Sequence, residues 1–438
     1  MNSPQAKVVD ETAPTTPSLK ESPQRWWLMV LLVIGMILCY AHRGAINVAA
    51  PFMKEFHLSL ADKGNLFSAF FLLYCFMQMP AGWLVDRFGV RRAYALGFAF
   101  WSLAVAATGF ANSFLMLFSL RMLLGVGQAV AFPASARAVA NWFRDRERGT
   151  VTGGYLAGVR WGQALVNGVG GLFLAAYDWR LFFLVIGLSS LLWLLPWWGF
   201  LGRWEKGPAS AAAADRKQPS SSSLPFFQSL ALLRHRSVFG IFLGFFAYDY
   251  AWFVYQNWLP EYLIGERQFS PKEMLVYSSA PFAVMSVIIL LSGFLSDWLI
   301  RRGRSETRVR KIFIVVGMAL ACLIVPAGLV ADKMTAVWLM TISLCGLGIS
   351  APNTWTLTQA ACSKHIVGTV SGIQNFGGNL GGIIAPALTG YIAHKTNSFA
   401  LALSITGAVL VVGILAYAFL ISQKVVVTTP VSEASARA

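Results

Sequence analysis

Gly82-Trp83-Leu84-Val85-Asp86-Arg87-Phe88-Gly89-Val90-Arg91-Arg92 closes one long apolar run, and Gly293-Phe294-Leu295-Ser296-Asp297-Trp298-Leu299-Ile300-Arg301-Arg302-Gly303 closes another, far downstream. Both read glycine, three residues, aspartate, and then a basic cluster. Charges packed directly behind an apolar run belong at a water boundary. The same device at matching places in two parts of one chain points to internal duplication, a mark of many membrane carriers.

Outward from these two segments, the chain falls into twelve apolar runs of the length needed to cross a bilayer. They lie at about 26–50, 64–84, 93–111, 114–139, 150–174, 180–201, 238–264, 273–297, 311–331, 335–358, 365–393 and 398–422. Backbone polar groups in lipid need partners within their own segment, so each run is predicted to be a helix. Composition agrees. Of 438 residues, 56% are hydrophobic and 12% charged, against about 25% charged in soluble domains. Mean hydropathy is +0.60.

The net charge of +16 would suit nucleic acid if it formed a patch. Here the basic residues sit in short connections, where they set orientation. With the N-terminus inside, inward connections hold nineteen Lys and Arg and outward ones seven. Both termini are therefore expected in the cytoplasm and the protein in the inner membrane. Residues 1–25 read as a cytoplasmic tail without the layout of a signal peptide. The Ala- and Ser-rich stretch 203–237 reads as a flexible linker. It separates two pseudo-symmetric six-helix halves, 26–202 and 238–422, and 423–438 forms a second cytoplasmic tail. Cys39, Cys75, Cys322, Cys345 and Cys362 show no metal spacing and are expected as free thiols. No nucleophile–base pair, metal-ligand cluster or Walker motif appears, which argues against an enzyme or an ATP-driven pump.

The 82–92 segment, between the second and third runs, resembles the cytoplasmic loop motif of the major facilitator superfamily, and 293–303 resembles a degraded second copy. That resemblance implies the twelve-helix major facilitator fold. It also makes Asp86, Arg87 and Arg91, with Asp297 and Arg301, gating residues that latch the outward-open state. Four further segments are Tyr40-Ala41-His42-Arg43-Gly44-Ala45-Ile46-Asn47, the run from Arg121 through Gly125 and Gln128 to Pro133, Asp178-Trp179-Arg180, and the glycine-rich run from Ser371 to Pro386. Together they look like the anion:cation symporter family, which carries hexuronate, aldonate, aldarate and phthalate. The resemblance covers nearly the whole chain, leaving out the tails and linker.

Charges inside a span cost several kcal/mol unless they face water or a partner (about 2.5–3.5 kcal/mol on insertion scales). Arg43 and Arg121 stand out, because a guanidinium stays charged and grips carboxylates with a planar fork. The resemblance makes these two arginines the substrate-carboxylate site or its support. Arg43, late in its helix, would alternatively snorkel to the interface. Tyr40 and Asn47 share a face with Arg43 by helical spacing, and Gln128 shares one with Arg121. Tyr74 matches a cavity position of the family, and is equally readable as a packed core aromatic. Asn375 and Asn379, four apart among glycines, would reach substrate hydroxyls or join helices. Arg160 would add a third positive charge suited to a dianion, or pair with Asp249.

One departure concerns coupling. Proton-coupled members of the family carry acids where this chain has His42 and Gln128. Gln128 cannot titrate. That leaves His42 and Asp249, a carboxylate well inside the seventh run, as ion-coupling candidates; Asp249 would otherwise form a structural salt bridge. The expected function is secondary active transport of a small organic anion, a sugar acid or related carboxylate, by alternating access and cation-coupled uptake. The ion would be H+, with Na+ open. The chain is expected to work as a monomer in the bilayer, without cofactor, metal or nucleic acid. Exchange or uniport of carboxylates, a non-transporting anion sensor, and drug-type efflux are the alternatives.

Overall fold

A computed structural model describes residues 24–143, 145–204, 231–362 and 367–421. The terminal tails, most of the linker and Lys364 lie outside the described residues, as does the side chain of Asp86. The described chain is helical, and no strand occurs in it. The helices are α1 (Arg25–Ala49), α2 and α3 (60–88 and 90–108), α4 (Phe114–Trp142), α5 (145–176), α6 (Trp179–Leu201), α7 (Arg236–Glu266), α8 (Pro271–Arg301), α9 (Glu306–Leu329), α10 (Lys333–Ala361), α11 (Val367–Thr396) and α12 (Ala400–Leu420). Eight of them are long and apolar enough to cross a membrane. The others (α2, α3, α5 and α11) are similar in reach but richer in glycine, amides and charge.

Local chemistry explains the ends. Ser59 and Asp62 form a capping box at the start of α2, and Ser270 and Glu273 form one at α8. Such a box satisfies amide donors that the first helical turn leaves unpaired. Ser113, Asp178 and Asp332 cap α4, α6 and α10. The quoted 82–92 segment holds the sharpest turn. α2 and α3 are continuous except at Gly89, with φ 79° and ψ 158°, a conformation essentially confined to glycine.

Polarity is inverted relative to a soluble protein. Phe76, Leu96, Leu115, Leu195, Phe294 and Phe419 are each at least 65% exposed. The interior meanwhile holds Arg43, Asn47, Arg121, Gln128, Gln163, Gln256 and Asn353 at 4% or less. An apolar exterior around a polar interior is what lipid as solvent demands.

Helices α1–α6 and α7–α12 form two groups that meet at one end and part at the other. At the meeting end Lys63 pairs with Glu261 at 2.7 Å. Asn47 donates to the Gln256 carbonyl at 3.0 Å, Ser68 to Ile383 at 2.7 Å and Asn167 to Ser278 at 3.1 Å. α2 and α11 touch so closely here that a Cβ on Gly64 would sit 2.6 Å from the Pro386 carbonyl oxygen. Farther along the same two helices, a Cβ on Gly82 or Gly372 would meet nothing within 4 Å. The open end is the arginine-rich one, where Arg137 on α4 and Gln359 on α10 are exposed.

Boundaries differ from expectation where basic residues begin a helix: α3, α5 and α9 start at 90, 145 and 306, so Arg91, Arg92, Arg146, Arg148, Arg308, Arg310 and Lys311 lie in first turns rather than in loops. Arg310 is drawn into the helix by Asp297 on α8, 2.6 Å away, and by Ser296 at 2.8 Å.

Candidate functional site

Late in α1, Arg43 turns into the bundle and is 2% exposed. Its guanidinium carbon lies 4.3 Å from the ring centres of Tyr40 and Phe70, 4.8 Å from Tyr74 and 5.9 Å from Phe71. Ring faces are negative, so this is a cation–π cage. Its Nε donates to Gln128 Oε1 at 3.2 Å and its Nη1 to the Tyr40 hydroxyl at 3.3 Å. Nη2 is buried and has no partner. The charge is thus held by rings and neutral acceptors, with donor capacity to spare.

Arg121 serves a different purpose. It reaches across from α4 and donates through Nη1 to the backbone carbonyl of Arg43 at 3.0 Å. It props the segment that carries Arg43. Gln128 ties the same two helices by donating to the Cys39 carbonyl at 2.8 Å. Tyr74, 4% exposed, stacks on Phe70 with centroids 4.9 Å apart; it is at once a core aromatic and a wall of the cage.

Asn47, one turn beyond Arg43, crosses to α7 and keeps its Oδ1 unpaired. Sequence reasoning passed over two glutamines close by. Gln163 on α5 lies against Gly44, where a Cβ would be 2.8 Å from its Oε1. That oxygen is unpaired, and its Nε2 donates to Asn167 at 3.0 Å. Gln256, whose carbonyl accepts from Asn47, is fully buried with both side-chain polar atoms unpaired. A glutamine within an apolar run was the available signal, and the search for charges overlooked it. Buried amides without partners are costly and rare, and call for an explanation.

Arg160 approaches from α5. Its guanidinium stacks over Trp252 at 3.6 Å and donates to the Tyr248 hydroxyl at 3.4 Å, both on α7. It makes no ion pair with Asp249. Asn375 and Asn379 on α11 have no hydrogen-bond partner among the described residues. One turn on, Gly382 rests on Phe71 of the cage.

His42 points the other way. Its Nε2 lies 3.1 Å from the Ile186 carbonyl of α6, in its own group of helices, and its Nδ1 is unpaired. The contacts described for the gating candidates lie within their own groups. Arg91 donates to the Trp198 carbonyl of α6 at 3.2 Å and covers the Trp198 ring at 4.2 Å. Arg87 lies over Trp83 at 5.1 Å. Asp297 takes Arg310, and Arg301 is exposed. The five cysteines are free, and no group of metal-ligating residues occurs among the described residues.

A bundle of two helix groups, apolar outside and holding a caged cation within, defines a multi-pass membrane protein. The chain belongs to the Major Facilitator Superfamily, whose profile it matches over residues 32–386. It is a transporter and not an enzyme. A D-galactonate transporter of Escherichia coli O6:H1 is 31% identical, covering 92% of this chain and 97% of that one. A probable galactarate/D-glucarate transporter of Escherichia coli K12 is 30% identical over 91% and 95%. Among solved structures, a bacterial homologue of the human lysosomal transporter Spinster, inward-facing and unoccupied, superposes with a TM-score of 0.74. It is 20% identical and covers 93% of this chain and 99% of its own.

Proposed function

We propose that this protein moves a sugar acid across the inner membrane by alternating access, in cation-coupled uptake with H+ as the ion. The observation that carries the reading is the caged Arg43 with its unpaired Nη2; Asn47, Gln163 and Gln256 also keep unpaired amide atoms in the interior. An aldonate or aldarate supplies what these groups lack. Its carboxylate would take the Arg43 fork. Its hydroxyls would donate to the orphan amide oxygens and accept from Gln256 Nε2. Arg121, Gln128 and Tyr40 hold Arg43 in place. Asn375 and Asn379 would close on the ligand from α11. Because Tyr40 and Tyr74 cover Arg43, entry of the anion requires these rings to swing aside.

Two of the similar proteins are named for galactonate and for galactarate/glucarate, which supports the substrate class. The lysine and arginine asymmetry supports cytoplasmic termini, and on that orientation the structure is open inward. Arg87 and Arg91 have contacts within their own half in this state, which suits a latch released from the opposite half. All twelve helices would span, in halves 26–202 and 238–422, as a monomer that needs no cofactor.

Proteoliposomes holding the purified protein test this. Labelled D-galactonate or galactarate should exchange against the same compound inside. Arg43→Ala should abolish the exchange, and Arg121→Ala should weaken it. Full exchange by the Arg43→Ala variant would sink the reading.

A further inference from the structure

We propose that Asp249 is the proton-carrying group of this transporter, and that the substrate loads it by drawing Arg160 away. The inference rests on the sugar-acid reading above and adds the residue and the means of coupling.

Asp249 lies in the middle of α7, whereas the other described carboxylates sit near helix ends or in connections. It has neither a hydrogen bond nor an ion pair among the described residues. The fold nevertheless makes room for it. Its Oδ2 occupies the space where a side chain at Gly378 of α11 would begin. The titratable and charged groups around it are few. Arg160 faces it from α5 and Arg43 from α1. Tyr417 faces it from α12 with a buried, unpaired hydroxyl, and Tyr248 is its neighbour on α7. α11 offers glycine only.

An unpaired carboxylate at this depth is relieved either by a cation or by a proton. Arg160 is within electrostatic reach but is held elsewhere, by a ring and one long hydrogen bond to Tyr248. Such a guanidinium is free to turn to a stronger anion. When a substrate carboxylate takes it, its field no longer supports the Asp249 charge. The carboxylate then binds one proton from the water of the open side and becomes a neutral acid. After the halves rock, the proton leaves to the other compartment. The Asp249 anion regains the pull of Arg160, and the substrate is released. One proton moves with one substrate, and each favours the other's binding by the same factor.

Competing carriers are disfavoured by geometry. Gln128 has no proton to exchange. The His42 ring faces an α6 carbonyl, about 100° around α1 from Arg43.

Proteoliposomes separate exchange from coupling. For Asp249→Asn, exchange of labelled galactarate at equal pH should stay within a few-fold of the parent. Accumulation driven by a pH gradient should be lost, and with it the proton uptake that a pH-sensitive dye records on substrate addition. His42→Ala should keep both. Gradient-driven accumulation by Asp249→Asn, or its loss in His42→Ala alone, overturns the proposal. Asp249→Ser, with a smaller side chain, gives the same readings if the amide variant folds poorly. If the unaltered protein exchanges no sugar acid, the substrate reading fails first. If it exchanges but Asp249→Asn still accumulates, only the coupling proposal fails.

Discussion

Breaking the Lys63–Glu261 pair should release the sealed end of the bundle. The pair joins α2 to α7 across the two helix groups at 2.7 Å, with side chains 12% and 9% exposed. Glu261 Oε2 has no other partner. Removing one member of a buried pair leaves an uncompensated charge, at a cost of about 3–5 kcal/mol. That cost falls on the sealed state alone, because water reaches the leftover charge once the groups part. At about 1.4 kcal/mol per tenfold, Lys63→Met or Glu261→Gln should raise the population open at this end by roughly a hundred- to several-thousandfold. Ser278 reports on it: its side chain is 0% exposed and its carbonyl accepts from Asn167 across the joint. In a cysteine-free background, Ser278→Cys should react slowly with an impermeant maleimide, and far faster when either charge is removed. The double variant Lys63→Met/Glu261→Met should return toward the slow rate, since apolar replacement of both partners carries no orphan charge. Single variants that label as slowly as the parent would refute the assignment of this pair as the latch.

Arg43→Lys should abolish galactonate binding in calorimetry while leaving the protein monodisperse, because an ammonium offers no planar fork to bridge ligand, Gln128 and Tyr40. Gly44→Ala puts a methyl 2.8 Å from Gln163 Oε1 and 2.9 Å from Val166 Cγ1; overpacking of about 1–3 kcal/mol should weaken substrate binding by about tenfold or more. Gly89→Ala should cost about 1–3 kcal/mol from its backbone conformation, read as a lower Tm with substrate affinity unchanged. Asp332 accepts from the Thr335 hydroxyl and amide at 2.7 Å each, and these bonds hold its pKa below the usual carboxylate value. Its contribution is complete above the unfolded pKa of about 3.9 and is lost as pH falls through the lowered folded value. Asp332→Ala should therefore lower Tm at pH 7, and the gap should close as pH falls through the lowered folded value.

Long apolar runs made the helices readable, because a bilayer leaves the backbone little other choice. Ends marked by charge were harder. Arg308, Arg310 and Lys311 look like a loop, and only the aspartate at 297 on the neighbouring helix reveals that they are coiled. The break between α2 and α3 is narrower than the hydropathy dip around it, since one glycine makes the whole turn. Within the site, Arg43 and Tyr40 were legible because a charge in a span must be explained and helical spacing puts a tyrosine beside it. His42 shows the limit. Adjacent residues on a helix point about 100° apart, so a histidine next to the key arginine is carried off toward α6. Gln163 and Gln256 escaped notice because an amide in an apolar run is cheap to read as glue. Their importance lies in unpaired atoms, which depend on neighbours from other helices.

α7 ties these features into one mechanism. Tyr248, Trp252 and Gln256 follow one another at intervals of four, and Glu261 stands at the start of its final turn. Through them α7 meets Arg160 on α5, Asn47 on α1 and Lys63 on α2. Asp249 lies beside Tyr248 on the same helix. On the proposed function, occupancy of the site, protonation and closure of the sealed end therefore act on one element. A substrate that recruits Arg160 removes one of the holds on α7, its contact with Tyr248 and Trp252. Lys63–Glu261 then resists together with the Asn47–Gln256, Ser68–Ile383 and Asn167–Ser278 hydrogen bonds before the bundle opens on the other side. A latch much weaker than estimated would let the halves rock empty and dissipate the gradient. One much stronger would trap the substrate. The charges at 63 and 261 and the donors around Arg43 must be matched in energy, so variants that loosen the latch should also raise leak of the coupling ion without substrate.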